Sequence, residues 1–293
     1  LRLLAAETDE RFLELQLAHR HARREQTFPL RILYTPLCGV GGAVLPRLLC
    51  TAGYHQVTVL PEQEHPDPDF KGLSSPNPER PQAFAEALKW TESHETDLIL
   101  ATDPDADRLA CMYRNTKGRF VFLNGNQIGV LLSHHVLSTL QAQGKLLPNG
   151  AVVKSIVTGD LCTKVCKDFG IEVFETLTGF KHICGLANRW EKSGEHTFLL
   201  GFEESIGYTL GDWIRDKDAV GAALALADLA SICAQEGMNL GHLLERIQQA
   251  HGYQRETLFS LRYEGLAGQA LIQQLMARHR TDFPDRIGTF ALT

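Results

Sequence analysis

Apolar and polar residues alternate over residues 30–34, 56–60 and 98–101, while residues 43–52 and 81–91 space their apolar side chains at helical intervals. Strand and helix therefore take turns along the first third of the chain. Gly53 stands where it can end the first of these helices, and Pro81 suits the first turn of the second. The same order then returns as strand 151–156, helix 159–169, strand 171–175, helix 180–193 and strand 197–201. The two halves read as one architecture used twice. Such alternation predicts the α/β class: two tandem α/β domains with mixed or parallel sheets covered by helices, plus the start of a further domain.

Other elements fill the gaps. A hairpin is expected around residues 116–118, and Asn124 can cap a helix running to about residue 143. A further helix is expected over 219–236, and an N-terminal one over 8–24 that buries Phe12, Leu13 and Leu17. Residues 61–81 hold six prolines and predict an extended loop within one domain, because strands on both sides belong to one sheet. Beyond Gly252 the pattern changes to a strand-like 256–262 and a helix 266–278. The expected division is therefore 1–120, 121–252 and 253–293, the last being a linker and the truncated start of another domain.

Composition narrows the function classes. With 293 residues, 44% hydrophobic and 22% charged, the chain can bury the cores of about two domains. A net charge of −6 leaves no basic field for nucleic acid or an anionic membrane, so phosphate chemistry would have to rest on local sites. The seven cysteines are scattered and mostly flanked by apolar residues, which predicts reduced core or subsurface thiols; Cys162 and Cys166 lack the second ligand pair of a zinc site. No signal peptide and no apolar run of about eighteen residues is visible, so the expected location is the cytoplasm. The chain opens on Leu1 and stops at Thr293 in mid-pattern, which suggests a fragment of a longer protein.

The sharpest chemical feature follows the strand over 98–101. Asp103, Asp105 and Asp107 alternate there, with Arg108 directly behind them. Three carboxylates repel one another unless a cation sits among them, and an all-oxygen set suits Mg²⁺. The end of a strand in an open α/β sheet is also where ligands bind. Two other motifs fail: an EF-hand starting at Asp103 needs glycine at Arg108 and glutamate at Arg114, and a D-x-D-x-T/V phosphatase motif needs Thr or Val at Asp107 or Leu109.

The second half places Glu203, Glu204 and Ser205 at the corresponding strand end. Carboxylates and a hydroxyl can bind vicinal sugar hydroxyls, whereas a hydrolase elbow would need glycine at Glu203. Two cationic segments can reach the same mouth: Thr178-Gly179-Phe180-Lys181, opening a helix whose amides could hold an anion, and Arg215-Asp216-Lys217-Asp218, in which Lys217 is the stronger candidate. Gly39, Gly41 and Gly42 lack the third glycine of a dinucleotide fingerprint, because Val44 stands there, and read as a tight strand-to-helix turn.

Together, Thr102-Asp103-Pro104-Asp105-Ala106-Asp107-Arg108, Thr178-Gly179-Phe180-Lys181, Gly201-Phe202-Glu203-Glu204-Ser205 and Asp216-Lys217-Asp218 resemble the α-D-phosphohexomutases over nearly the whole chain. Tyr34-Thr35-Pro36-Leu37-Cys38-Gly39-Val40 and Ser75-Pro76-Asn77-Pro78-Glu79 point to the branch that holds phosphoglucomutase, phosphomannomutase and phosphopentomutase-type enzymes. The resemblance implies the second and third of four domains around one cleft. It implies that Asp103, Asp105 and Asp107 hold Mg²⁺ beside a phosphoserine and that Arg108 assists the phosphoryl group. Glu203 and Ser205 would read sugar hydroxyls, Lys217 would face the reacting groups, and Thr178, Gly179 and Lys181 would form a substrate-side loop. The implied reaction interconverts hexose 1-phosphate and 6-phosphate through a hexose 1,6-bisphosphate, with a sugar phosphate as the partner.

The departures are equally specific. No Thr/Ser-Ala-Ser-His-Asn-Pro serine loop occurs; Ser74-Ser75-Pro76-Asn77-Pro78 lacks its histidine, and no Arg-x-Ser-Gly-Thr clamp follows Phe290. The phosphoserine is therefore expected to lie ahead of Leu1 in a parent chain, and this piece alone should not turn over. The competing readings are a non-catalytic remnant that binds metal and phosphosugar, a phosphopentomutase, and a metal-dependent phosphatase.

Overall fold

In the computed structural model, which describes residues 6–21, 29–73, 75–256 and 261–291, the first half begins with helix α1 (Ala6–Ala18) and builds a mixed sheet. Strand β1 (Ile32–Thr35), helix α2 (Leu45–Thr51), strand β2 (Val57–Val59), helix α3 (Ala85–Trp90) and strand β3 (Leu98–Thr102) form the parallel part. Strands β4 (Leu109–Arg114) and β5 (Phe120–Leu123) add an antiparallel hairpin, giving the order β2-β1-β3-β4-β5. β1 and β3 are buried along their whole lengths, so neither shows the exposed face that the expected alternation implies.

The second half repeats this plan. After helix α4 (Gly125–Ala142) come strand β6 (Gly150–Ser155), helix α5 (Leu161–Asp168), strand β7 (Glu172–Thr176), helix α6 (Phe180–Ser193) and strands β8 (Thr197–Glu203) and β9 (Gly207–Leu210), in the order β7-β6-β8-β9. β6 pairs in parallel with β7 and β8, and β9 returns antiparallel to β8, as β4 does to β3. Helices α7 (Ala219–Gln235) and α8 (Leu240–His251) follow. α7 is Ala- and Leu-rich and almost wholly buried. It packs on α2, β3 and β4 from one half and on α4, β9 and α8 from the other.

One continuous apolar core therefore joins the two halves, and a smaller cluster built on Phe180, Ile183, Trp190 and Phe198 fills the other face of the second sheet. The seam also holds a buried polar knot. Arg20 bonds both oxygens of Asp228 (2.8 and 2.6 Å), and the Tyr54 hydroxyl donates to the same carboxylate at 2.6 Å. Contacts divide the chain into two compact units, Leu1–Gln254, to which all of the above belongs, and Arg255–Thr293. The second unit contains helix α9 (Gly265–Thr281) and strands β10 (Arg286–Ile287) and β11 (Phe290–Ala291), paired antiparallel.

Several expectations need correction. α1 stops at Ala18; of the expected continuation, residues 22–24 lie outside the described residues. The expected strand over 256–262 also falls largely outside them, and its described members are not in a strand. α8 was not anticipated, although Asn239 and His242 form a capping box and Leu240, Leu243, Leu244 and Ile247 follow at helical spacing. Cys50 is exposed, because it falls on the outer side of the short helix α2, while the other six cysteines are buried. Among the described residues no single helix is long and apolar enough to cross a membrane.

Candidate active site

Both acidic segments lie where a parallel strand hands over to its antiparallel neighbour. In the first half, β3 delivers Asp103, whose Oδ1 accepts the backbone N–H groups of Asp107 (3.1 Å) and Arg108 (3.0 Å). Ala106, at φ 57°, turns the loop back toward β4. The loop is also held from the β1 side: the Val40 N–H donates to the Pro104 carbonyl at 2.8 Å. A Cβ on Gly39 would lie 2.3 Å from Pro104 Cα, so that glycine permits the contact, a role beyond the turn expected of it.

One oxygen from each of Asp103, Asp105 and Asp107 falls within 4.8 Å of the others. Burial first, and the Asp107 and Asp105 charges after it, push the Asp103 carboxyl up to about 7, although its bond from the Arg108 amide pulls the other way. Asp107 Oδ1 is buried without a hydrogen-bond partner, while its Oδ2 accepts Lys217 Nζ at 2.7 Å. Arg108 Nε stands 3.7 Å from both Asp103 and Asp107, too far for a strong bond. A crowded all-oxygen set with an orphaned buried oxygen fits a hard divalent cation such as Mg²⁺. The N-terminus of α7 adds its dipole, with the Ala219 N–H directed to the Ala106 carbonyl at 3.3 Å.

In the second half, β8 extends two residues further than expected and ends in Glu203, which is 8% exposed. Its Oε1 accepts the Gly179 N–H at 2.5 Å, tying the turn before α6 to the strand end. Glu204 turns the other way, and its Oε2 accepts the hydroxyls of Ser155 (2.8 Å) and Thr158 (3.3 Å). Ile206 adopts φ 60° and directs its carbonyl to the Leu109 N–H at 3.0 Å. Arg108 forms an antiparallel bridge with Gly207, so the two loops meet.

Lys217 spans them. Besides its bond to Asp107, its Nζ lies 5.3 Å from the centre of the Phe180 ring and 3.2 Å from Asp216. Burial opposes its charge, but the bonds to Asp107 and Asp216 outweigh that and raise its pKa. Behind it, Asp218 caps α7 and accepts Gln16 Nε2 at 2.7 Å. Asp103, Asp105, Asp107, Arg108 and Lys217 are thus gathered directly, while Glu203 is linked to them through its strand partner Gly207, which bridges Arg108, and holds the Gly179 amide. Ser205 is half-buried on the turn after β8; Thr178 and Lys181 stay exposed at the start of α6. Ser155, Thr158 and Gly125 escaped the sequence reading. Only a lysine and a serine ending an otherwise apolar strand at Lys154-Ser155 could have flagged that region.

Two copies of an α/β plan, joined by a shared core, thus meet at a carboxylate loop that suits a divalent cation. Residues 10–118 match the model for phosphoglucomutase/phosphomannomutase alpha/beta/alpha domain II, and residues 124–250 match that for domain III. The chain belongs to this family, within the α-D-phosphohexomutase superfamily. The phosphoglucomutase of Staphylococcus epidermidis is 35% identical over 255 residues, covering 87% of this chain and 46% of that protein. The chain thus spans about half the length of the curated relatives it matches. A phosphoglucomutase/phosphomannomutase family protein from Burkholderia thailandensis shares the fold with a TM-score of 0.65 at 17% identity, over 96% of this chain and 54% of that one. Aspergillus fumigatus N-acetylphosphoglucosamine mutase, solved in complex with GlcNAc-6P and magnesium, aligns with a TM-score of 0.57 at 15% identity, over 81% of this chain and 49% of that one.

Proposed function

We propose that this chain is the cation-binding and sugar-binding middle of a phosphohexomutase that interconverts hexose 1-phosphate and 6-phosphate through a phosphoserine and a hexose 1,6-bisphosphate. Residues 1–120 form the cation domain, 121–252 the sugar domain and 253–293 the beginning of a further domain. The observation that carries this reading is Lys217, bonded to Asp107 of one loop while its head group lies over Phe180, the residue after Gly179, whose N–H Glu203 accepts. One positive group placed between a cation site and a polyol-binding carboxylate suits a reaction that moves a phosphoryl group between sugar hydroxyls.

Asp103, Asp105 and Asp107 would hold Mg²⁺, which when bound offsets charge on the transferring phosphoryl group. Arg108 and Lys217 contribute fixed positive charge beside it, aimed before reaction and so costing little reorganisation. Glu203 and Ser205 accept and donate hydrogen bonds to sugar hydroxyls, and the exposed Thr178 and Lys181 border the same side. The serine that carries the phosphoryl group belongs to a segment other than this one. The cytoplasm is the proposed location.

The test has two arms. Calorimetry on this chain should show Mg²⁺ binding that falls at least about tenfold in Asp105→Asn, since even loss of an outer-shell partner costs that much. Coupled assays on the full-length parent protein with glucose 1-phosphate, mannose 1-phosphate and ribose 1-phosphate should show mutase turnover, and the preferred sugar separates hexose from pentose use. Phosphate release by this chain alone would overturn the reading in favour of a phosphatase, and a parent protein that binds without turnover would mark a remnant.

A further inference from the structure

The Glu203-Glu204 pair invites the view that both carboxylates meet the sugar, but the structure gives Glu204 to the protein itself. Its Oε2 accepts Ser155 Oγ at 2.8 Å and Thr158 Oγ1 at 3.3 Å, and those two hydroxyls bond each other at 2.7 Å. Ser155 is 0% and Thr158 4% exposed, so the donor ends of these bonds are shielded from water while Glu204 itself is half-buried. The turn that carries them is pinned on two more sides. Lys154, fully buried, bonds the Thr158 carbonyl at 3.0 Å and pairs with Asp160 (3.1 Å) and Glu175 (2.7 Å). The Gly159 N–H donates to Asn126 Oδ1 at 3.2 Å.

The start of α4 packs against the backbone of the same loop. A Cβ on Gly125 would come within 1.9 Å of the Glu204 carbonyl oxygen and 2.9 Å of the Ile206 nitrogen. The loop over 203–207 is therefore gripped through the Glu204 side chain from the β6–α5 turn and through its backbone from α4. Glu203 and Ser205 flank the gripped residue, and Glu203 adds a tie of its own through the Gly179 N–H.

We propose that Ser155 and Thr158 are positioning residues for the sugar loop, acting through Glu204 to hold Glu203 and Ser205 in register for a hexose phosphate. The proposal rests on the sugar-binding reading for its ligand, but its mechanical part stands apart from it. Removing both hydroxyls strips the half-buried Glu204 carboxylate of its donors, which frees the loop without touching any group that meets the ligand.

The test uses this chain, with Ser155→Ala/Thr158→Val as the main variant and Glu204→Gln as a second that keeps the side-chain shape. Amide hydrogen exchange should quicken about tenfold over residues 203–207 and stay unchanged over 103–108. Calorimetric affinity for glucose 1-phosphate should fall about tenfold while Mg²⁺ affinity holds within about twofold, and Thr158→Ser alone should behave as wild type. Unchanged exchange over 203–207 overturns the proposal, as does acceleration spread equally to 103–108 with loss of Mg²⁺ binding, which is the mark of general destabilisation. Selective acceleration in a chain that binds no glucose 1-phosphate even as wild type upholds the positioning role and sinks the sugar assignment instead.

Discussion

The loop after β3 and the turn after β8 occupy the same place in two copies of one topology, and they handle negative charge in opposite ways. In the first, three carboxylates converge, and a buried Asp107 oxygen is left without a donor. In the second, each glutamate has its own donor from the protein, Gly179 for Glu203 and the Ser155 and Thr158 hydroxyls for Glu204. Three converging carboxylates with a buried oxygen still lacking a donor call for an external cation, whereas carboxylates satisfied by the chain hold their geometry alone. Both segments turn through a non-glycine residue at positive φ, Ala106 at 57° and Ile206 at 60°, so the backbone device is shared and the side chains separate the roles.

The strongest way to break the contrast is at the second turn. Gly125→Ala places a methyl group within 1.9 Å of the Glu204 carbonyl oxygen and should cost about 3 kcal/mol by forcing apart α4 and the turn. Urea unfolding reads the loss, and Mg²⁺ binding by the folded fraction should persist because the atoms nearest Gly125 belong to Glu204 and Ile206, not to the first loop. A change under about 1 kcal/mol would show that the turn is not gripped there.

A smaller effect probes the seam that holds the halves together. Burial first, then the charges of His134 and Arg20, hold His135 down to about 4 despite its bond to the His21 backbone. The unfolded chain, with an ordinary histidine pKa near 6.5, then binds more protons between those values. Stability is full above pH 6.5 and is lost as pH falls toward 4, by about 1 kcal/mol from this residue at pH 5.5. Unfolding at pH 7.5 and 5.5 should show His135→Gln losing that much less than wild type between the two; equal losses would remove His135 from the account.

The smallest expected effect sharpens the comparison of the two left-handed residues. Ala106→Gly relieves a strain of about 1 kcal/mol but loosens the unfolded chain by a similar amount, so stability should move by less than about 1 kcal/mol. Ile206 is fully buried, and the same substitution there would also lose a core side chain. A large loss in Ala106→Gly would mean that the first loop depends on its turn as much as the second does.

The repeat and the acidic trio were legible because they are local. β1, β3 and β6 are buried throughout and announce themselves by apolar runs, and α6 falls where its period placed it, at Phe180–Ser193. The capping residue Asn124 was equally plain, since its box with Gln127 is written within four residues. β9 was missed because Gly207–Leu210 is too short for a period and owes its existence to pairing with β8. α8 was missed although its signals were present.

The sequence by itself determined the α/β repeat, the helix caps and the crowding of three aspartates, since each depends on residues a few positions apart. Only the tertiary structure decided that Lys217 lies against Asp107, that Glu204 serves Ser155 and Thr158, and that Gly39 and Gly125 let backbones meet. Those contacts join residues far apart in sequence, and they form only once sheet order and a shared core have brought their strand ends together, which no local pattern encodes.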